Sequence, residues 1–334
     1  MRRIAVMNQK GGVGKTTTVA NLGAAVAASG KRVLLIDLDP QAHLSLHYGI
    51  ELADDQPSGY DLLTSSASIR KVAIPIRDCI TLVPSDIDLA AAEAELISVA
   101  GREMILREAV DLIEDEHDVL LIDCPPSLGV LTLNALAASD EVMIPMQAHF
   151  LALQGVGKLL DTVTLVRQRI NPKLKVAGFI LCMHDSTTRL SGEVVADLVR
   201  FLQQARSKPV AWADARIYER RIRRNIKLAE AASFGKTVFD YEPQCNGALD
   251  YGALAVEIFG TQAPATPPAA LNVESGWRDR CLNTSAESER AHAPADTAAE
   301  HKTLHDLPTD YPTMAPPAHD DTPLHGAQSP EQRL

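Results

Sequence analysis

Lys10-Gly11-Gly12-Val13-Gly14-Lys15-Thr16-Thr17 follows directly on the apolar run Ile4-Ala5-Val6-Met7 and leads into Val19, Leu22, Ala25 and Val26 at helical spacing. A short strand, a glycine-rich turn and a helix entered through Lys-Thr together make a phosphate site. Glycines let the N–H groups of the turn converge on an anion, and the helix N-terminus adds the positive end of its dipole. In that arrangement Lys15 reaches the β/γ-phosphates of a nucleotide and the Thr16 hydroxyl holds Mg²⁺. The stretch from Lys10 through Gly11, Gly12, Val13 and Gly14 to Thr17 is therefore the expected cradle.

The run departs from the common G-x-x-x-x-G-K-[ST] pattern, because Gln9 stands where the first glycine belongs and Lys10 opens the loop. Lys-Gly-Gly-Val-Gly-Lys-Thr-Thr resembles the deviant P-loop of the partition ATPase superfamily, the ParA/Soj type. The resemblance implies a P-loop NTPase fold, ATP and Mg²⁺ as cofactors, and an ATP-dependent homodimer. In such a dimer Lys10 crosses the interface to the partner's nucleotide, so that Lys10 and Lys15 both serve catalysis.

Strand, helix and strand follow one another within the first 37 residues, since Arg32-Val33-Leu34-Leu35-Ile36-Asp37 is apolar on both faces, as a buried parallel strand is. This βαβ unit predicts an α/β fold, a mostly parallel sheet with helices on both faces. Asp37-Leu38-Asp39-Pro40-Gln41-Ala42 leaves the strand at its C-terminal end, where open α/β sheets place their ligands. Two carboxylates this close need an opposing positive charge, which Mg²⁺ supplies. The resemblance implies that Asp39 serves the attacking water and that Asp37 supports the metal shell, although Ala42 and His43 replace the family's usual Gly-Asn. Val119-Leu120-Leu121-Ile122-Asp123 is a second apolar strand ending in an acid, the form of a Walker B segment, with Asp123 placed to support Mg²⁺. Its continuation, Asp-Cys-Pro-Pro-Ser, also resembles the family. Further strands are expected at Ile80–Ser85, Glu141–Gln147 and Lys175–Met183, and a helix over Gln154–Gln168.

The net charge of −11 argues against a surface that binds nucleic acid everywhere. Between Arg216 and Lys227, however, six basic residues face only Glu219, a local excess of +5 with no recognisable base-reading motif. Such focusing is the footprint of phosphate-backbone contact, so double-stranded DNA bound without sequence preference is expected through Arg221, Arg223, Arg224 and Lys227. Ile222-Arg223-Arg224-Asn225-Ile226-Lys227-Leu228-Ala229-Glu230-Ala231 resembles a family segment in which the Arg-Asn pair, here Arg224 and Asn225, borders the adenine. A second family arginine corresponds to Thr187, and Arg189 two residues on is the candidate to replace it.

Five cysteines, odd in number and widely spaced, form no C-x-x-C pair, which points to reduced thiols and neither a disulfide framework nor a zinc site. No apolar run approaches the roughly 18 residues of a membrane span, and Met1-Arg2-Arg3 runs into a strand without a signal-peptide plan. A cytoplasmic, nucleoid-associated protein is expected. The domain is expected over residues 1–260. The stretch 261–334 holds ten of the twenty prolines and eleven acids against five basic residues, a composition that predicts a disordered tail.

The resemblance implies a ParB-like centromere-binding partner that stimulates slow hydrolysis and so releases DNA, in chromosome or plasmid segregation. The chain opens without the helix-turn-helix extension of longer plasmid relatives, so operator autorepression is not expected. A relative that positions protein cargo on the nucleoid would share these motifs. A MinD-like membrane-positioning ATPase is disfavoured, because it needs a basic amphipathic C-terminal helix and the last nine residues are polar. An iron–sulfur enzyme on the same fold would need clustered thiolates, which the scattered cysteines do not provide.

Overall fold

The computed structural model describes residues 1–148, 152–185 and 189–261. Apart from Thr261, the expected tail lies outside the described residues.

Eight strands form one sheet: β1 (Arg2–Val6), β2 (Val33–Asp37), β3 (Ile74–Arg77), β4 (Ile80–Val83), β5 (Val119–Asp123), β6 (Glu141–Met146), β7 (Lys175–Leu181) and β8 (Arg216–Ile217). Their order across the sheet is β3-β4-β2-β5-β1-β6-β7-β8. Every pairing is parallel except the edge hairpin β3–β4. The first half of the chain carries α1 (Lys15–Ala27), α2 (His43–His47), α3 (Gly59–Thr64), α4 (Ile69–Val72), α5 (Leu89–Glu95), α6 (Ile105–Asp111) and α7 (Val130–Ala138). The second half carries α8 (Ala152–Arg169), α9 (Arg189–Ala205), α10 (Ile226–Ser233), α11 (Val238–Tyr241) and α12 (Asn246–Phe259).

Because successive strand residues point to opposite faces, each central strand feeds two cores. Ala5, Leu34, Ile36, Leu120 and Ile122 pack beneath α3 to α9, whereas Ile4, Val6, Leu35 and Leu121 pack beneath α1, α2 and α10 to α12. The mostly parallel α/β sheet covered on both faces is therefore present as the sequence predicts. α1 ends at Ala27, and Gly30, with φ +84°, turns the chain into β2. The stretch from Leu89 to Asp111 is divided into α5 and α6, with Gly101 at φ +73° in the break.

Two long-range ties close the second core. The Thr18 hydroxyl of α1 lies 3.1 Å from the Tyr251 hydroxyl of α12, and both residues are buried. Arg2 at the start of β1 donates to the Ile258 carbonyl at 2.7 Å while its guanidinium lies over the Phe259 ring.

His47, at the end of α2, is 2% exposed, and its Nε2 has no hydrogen-bond partner among the described residues. Burial holds its imidazole down at about 4. The unfolded chain, with a value near 6.5, takes up the proton first as pH falls. Stability is thus fully present above about pH 6.5 and lost toward about pH 4. Denaturant unfolding at about pH 7 and about pH 5 should show the natural protein losing about 2 kcal/mol more than His47→Gln. Equal pH dependence of the two proteins would contradict a neutral, buried His47.

Candidate functional site

The loop between β1 and α1 lies at the C-terminal edge of the sheet, where β1 sits between β5 and β6. Gly12 at φ +69° and Gly14 at φ +95° occupy the left-handed region that disfavours side chains. Gly14 is the N-cap of α1, and no side chain caps this helix, which leaves its first N–H groups directed toward the loop. Asn8 fixes the loop's entry: its Nδ2 donates to the Pro145 carbonyl at 2.8 Å and its Oδ1 accepts from the Lys10 N–H at 3.0 Å. On the far side, Gln147 Nε2 donates to the Gly12 carbonyl at 3.2 Å. Lys15 is buried, while Lys10 is exposed and its side chain has no ion pair among the described residues.

The acids converge on the same edge. Asp37 and Asp123 are register partners on neighbouring β2 and β5, and both are fully buried. The Thr16 hydroxyl donates to Asp123 Oδ2 at 2.6 Å, whereas Asp123 Oδ1 has no partner among the described residues. Burial raises the Asp123 carboxyl well above the usual range, and nearby Asp37 adds to the effect against the opposing pull of Thr16 and Lys15. Asp37 is pushed up to about 6, also by burial. Its own oxygens serve the protein: Oδ2 accepts from the Ser45 N–H at 2.9 Å and the Ser45 hydroxyl at 2.8 Å, and Oδ1 accepts from the Asp39 N–H at 3.2 Å. The Asp39 carboxylate accepts from the Gln41 N–H at 3.1 Å.

Ser85, just beyond β4, completes this network. Its N–H donates to Ser45 Oγ at 3.0 Å and its hydroxyl to the Asp39 carbonyl at 2.9 Å. Asn8, Ser45 and Ser85 are site residues that the sequence reading missed. Isolated serines and asparagines carry no spacing signal, and only folding brings them to the acids. Ala42, where the family has glycine, sits at φ +53°, so the loop keeps the left-handed turn at some conformational cost.

The residues present fit a nucleotide-bound divalent cation. An orphaned buried carboxylate oxygen, a hydroxyl beside it and two further acids stand next to a loop of open N–H groups. The described residues contain no cluster of three or more ligating side chains. That suits Mg²⁺, which keeps waters and phosphate oxygens in its shell and takes few protein ligands. Cys124 and Cys182 are buried, with thiols pushed upward by burial, Cys182 to about 12, so neither is a thiolate.

Arg224 and Asn225 are carried to the same edge by backbone pairing. Ile222 N–H donates to the Leu181 carbonyl at 2.8 Å and His184 N–H to the Ile222 carbonyl at 2.9 Å, laying this segment along the end of β7. Cys182, immediately after β7, sits beside Gly14, where an added Cβ would meet its Sγ at 3.5 Å. Asn225 is also the N-cap of α10, its Oδ1 accepting from the Lys227 N–H at 2.9 Å.

The basic segment is less free than its local charge suggests, because α10 supplies an acid three residues beyond Lys227 and α12 one that is distant in sequence. Arg223 pairs with Asp250 of α12 at 2.7 Å, and Lys227 with Glu230 at 2.8 Å. Arg221 donates to His184 Nε2 at 2.8 Å. Arg220 and Arg224 are exposed and make no side-chain ion pair among the described residues. Arg189 opens α9, and Thr187 lies outside the described residues. A cavity of about 400 Å³ at the opposite edge of the sheet, lined by Arg3, Asp111, Glu114 and Asn171 among others, contains none of the predicted site residues.

Comparison with known proteins agrees with this geometry. A family model described as AAA domain matches residues 1–176. The sporulation initiation inhibitor protein Soj of Bacillus subtilis is 42% identical over 257 residues, which cover 76% of this chain and 97% of that protein. The chromosome partitioning protein ParA of Caulobacter vibrioides is 40% identical over 273 residues, covering 81% and 98%. The chain belongs to the ParA/Soj family of partition ATPases. Among solved structures, one described as cobyrinic acid a,c-diamide synthase of Mycobacterium smegmatis, with bound ATP analogue and magnesium, is 37% identical. It superposes with a TM-score of 0.64 and covers 79% of this chain and 98% of its own. The candidate site joins the loop that follows β1 to the acid-terminated ends of β5 and β2, which lie next to one another on one side of it.

Ser45→Ala should remove one acceptor interaction of buried Asp37 and strand the Ser85 N–H, at a cost of about 1–3 kcal/mol in denaturant unfolding. Unchanged stability would show that water replaces the hydroxyl.

Proposed function

We propose that this chain is an ATP-dependent DNA-partitioning switch. ATP and Mg²⁺ bind at the loop of residues 10–17, two chains close around two nucleotides, and the closed dimer holds nucleoid DNA without sequence preference. Hydrolysis, stimulated by a ParB-like partner, releases the DNA. The observation that carries the reading is the Thr16 hydroxyl on Asp123 at 2.6 Å, with Asp37 and Asp39 on the adjoining strand end. Family membership supports the partition role.

When bound, Mg²⁺ neutralises charge on the phosphates as they are transferred. Thr16 and Asp123 would hold it, with Asp37 acting through the loop it anchors. Lys15, buried at the start of α1, places its ammonium against phosphate oxygens. Lys10, exposed and without an ion pair among the described residues, reaches toward a second subunit. The carboxylate of Asp39 orients water and accepts its proton. Arg224 and Asn225, beside the end of β7, border the base. For DNA, Arg220 and Arg224 are exposed and make no ion pair among the described residues, Arg221 is held on His184, and Arg223 and Lys227 must exchange protein carboxylates for phosphates. Arg189 on α9 adds a further candidate contact. We assign the ATPase domain to 1–260 and place residues 261–334 outside it, in a cytoplasmic, nucleoid-associated protein. Positioning of protein cargo on the nucleoid would use the same residues with a different partner.

Lys15→Ala should lower ATP affinity about 100-fold through loss of charged contacts to phosphate, and normal affinity would remove the loop assignment. Asp39→Ala should bind ATP normally and lose about 100-fold or more in phosphate release, while unchanged turnover would give the water to another group.

Duplex DNA of arbitrary sequence should bind tightly with ATP and Mg²⁺ and weakly with ADP, with affinity falling as salt rises. Arg220→Ala should reduce the salt slope by about one and weaken all sequences alike. Equal binding in both nucleotide states would overturn the switch.

A further inference from the structure

The cavity at the edge of the sheet opposite the phosphate loop takes no part in the nucleotide chemistry. Its walls come from the start of β1, from α6, from the end of α7 and from the turns that enter β6 and β7. At about 400 Å³ it falls within the range of about 300–1,000 Å³ that small-molecule pockets occupy.

Part of the charge on these walls is already spent. The buried Arg3 guanidinium donates to Asp111 and lies 3.3 Å from Glu114, whose other oxygen is 3.9 Å from the Met1 ammonium. Arg107 Nε stands 4.0 Å from the second Asp111 oxygen. Asp140 and Lys173 are different. Asp140 is half-buried, Lys173 is exposed, and the side chain of neither makes a hydrogen bond or an ion pair among the described residues, with the other or with any third group. One carboxylate and one ammonium thus line the same cavity without neutralising each other.

Next to Asp140 the wall is built from buried polar atoms. Asn171, 4% exposed, brings its Nδ2 to the carbonyls of Leu136, Ala137 and Ser139 at 3.0, 3.3 and 2.6 Å, which ties the end of α7 to the turn before β7. Its Oδ1 accepts from none of the described residues. Ser139, 1% exposed, has a hydroxyl that likewise lacks a partner among them. Buried polar atoms are ordinarily satisfied, so two such atoms beside a cavity mark a place where a ligand completes the bonding. The last carbonyls of α7 add the negative end of its dipole on the same side as Asp140.

The chemistry of the occupant follows from this inventory. Asp140, Asn171 Oδ1 and Ser139 Oγ can accept from an ammonium group, whereas Lys173 and Arg107 are donors suited to a carboxylate. Across the whole lining, Arg3, Arg107 and Lys173 balance Asp111, Glu114 and Asp140. A ligand without net charge preserves that balance, and a dication or a dianion would upset it. We propose that this cavity binds a small zwitterionic amino acid, its ammonium on Asp140, Asn171 and Ser139 and its carboxylate on Lys173 and Arg107. No residue of the phosphate loop or of the acid pair takes part, so the site stands independently of the partition reading.

The test uses the full chain. Each common amino acid and γ-aminobutyrate are screened at about 5 mM by thermal shift, since a ligand that binds only the folded state raises the melting temperature. Calorimetry then compares γ-aminobutyrate with putrescine and succinate, which have the same chain length and carry charge of one sign. At least one amino acid should raise the melting temperature, and γ-aminobutyrate should bind at least about 10-fold more tightly than either control. Asp140→Asn and Lys173→Ala should each weaken binding at least about 10-fold while keeping the circular dichroism and the ATP affinity of the natural protein. Asp140→Lys should turn the preference toward succinate. Saturating ATP·Mg²⁺ should leave the binding in place, whereas displacement by ATP would locate the ligand at the phosphate loop and overturn the proposal. A screen without any shift, equal binding of the three equal-length compounds, or affinity unchanged in both Asp140→Asn and Lys173→Ala would overturn it as well. Failure of the natural chain to bind ATP would count against the ATPase reading, and the amino-acid screen would still decide the cavity.

Discussion

Two carboxylates held side by side out of water govern the C-terminal edge of the sheet. Asp37 and Asp123 end adjacent parallel strands in register, and burial raises both above the ordinary carboxylate range. Like charges in that position repel each other and have lost their hydration, so the surrounding structure must supply donors. Thr16 answers Asp123, the Ser45 N–H and hydroxyl answer Asp37, and Lys15 contributes the nearest full positive charge. The response is uneven: Asp37 is satisfied by protein, whereas one oxygen of Asp123 is left without a donor. That difference separates a carboxylate that shapes a loop from one available to a ligand.

The strands that carry this edge were legible because a buried parallel strand is apolar on both faces, and the acid that ends each run stands out against it. The glycine loop was legible for the same kind of reason, since positive φ at Gly12 and Gly14 and an uncapped helix start leave few alternatives for sequence. Short edge elements were not. Ile74-Pro75-Ile76-Arg77 contains a proline and only four residues, yet it forms an antiparallel edge strand because β4 offers it a partner. Ser45 and Ser85 escaped notice because a serine on a helix or in a turn has the same local pattern whether or not a carboxylate lies above it.

The basic segment shows the limit of counting charge along the chain. Within residues 216–227 only Glu219 opposes the six cations, but α12 brings Asp250 to Arg223, and Glu257 receives the N–H groups of Glu219 and Arg220. Charges separated by a few residues are visible in sequence, whereas those separated by 27 to 38 positions are set by topology. The exposed arginines that remain are therefore fewer and more specific than the local excess implies.

The ties that α12 makes to β1 and α1 have a bearing on how the protein is born. Residues 2 and 18 lie in the first elements of the domain to be synthesised, and their partners, 258 and 251, are among its last. Contacts of such high sequence separation form late and slowly. The apolar side of the phosphate-loop helix therefore stays without its final cover through most of translation, a period in which exposed core surface invites association with chaperones or with other nascent chains. A polypeptide interrupted before α12 would carry the entire phosphate loop yet lack the helix that packs on α1, so possession of the motif and possession of a finished site are separated by nearly the whole synthesis of the domain.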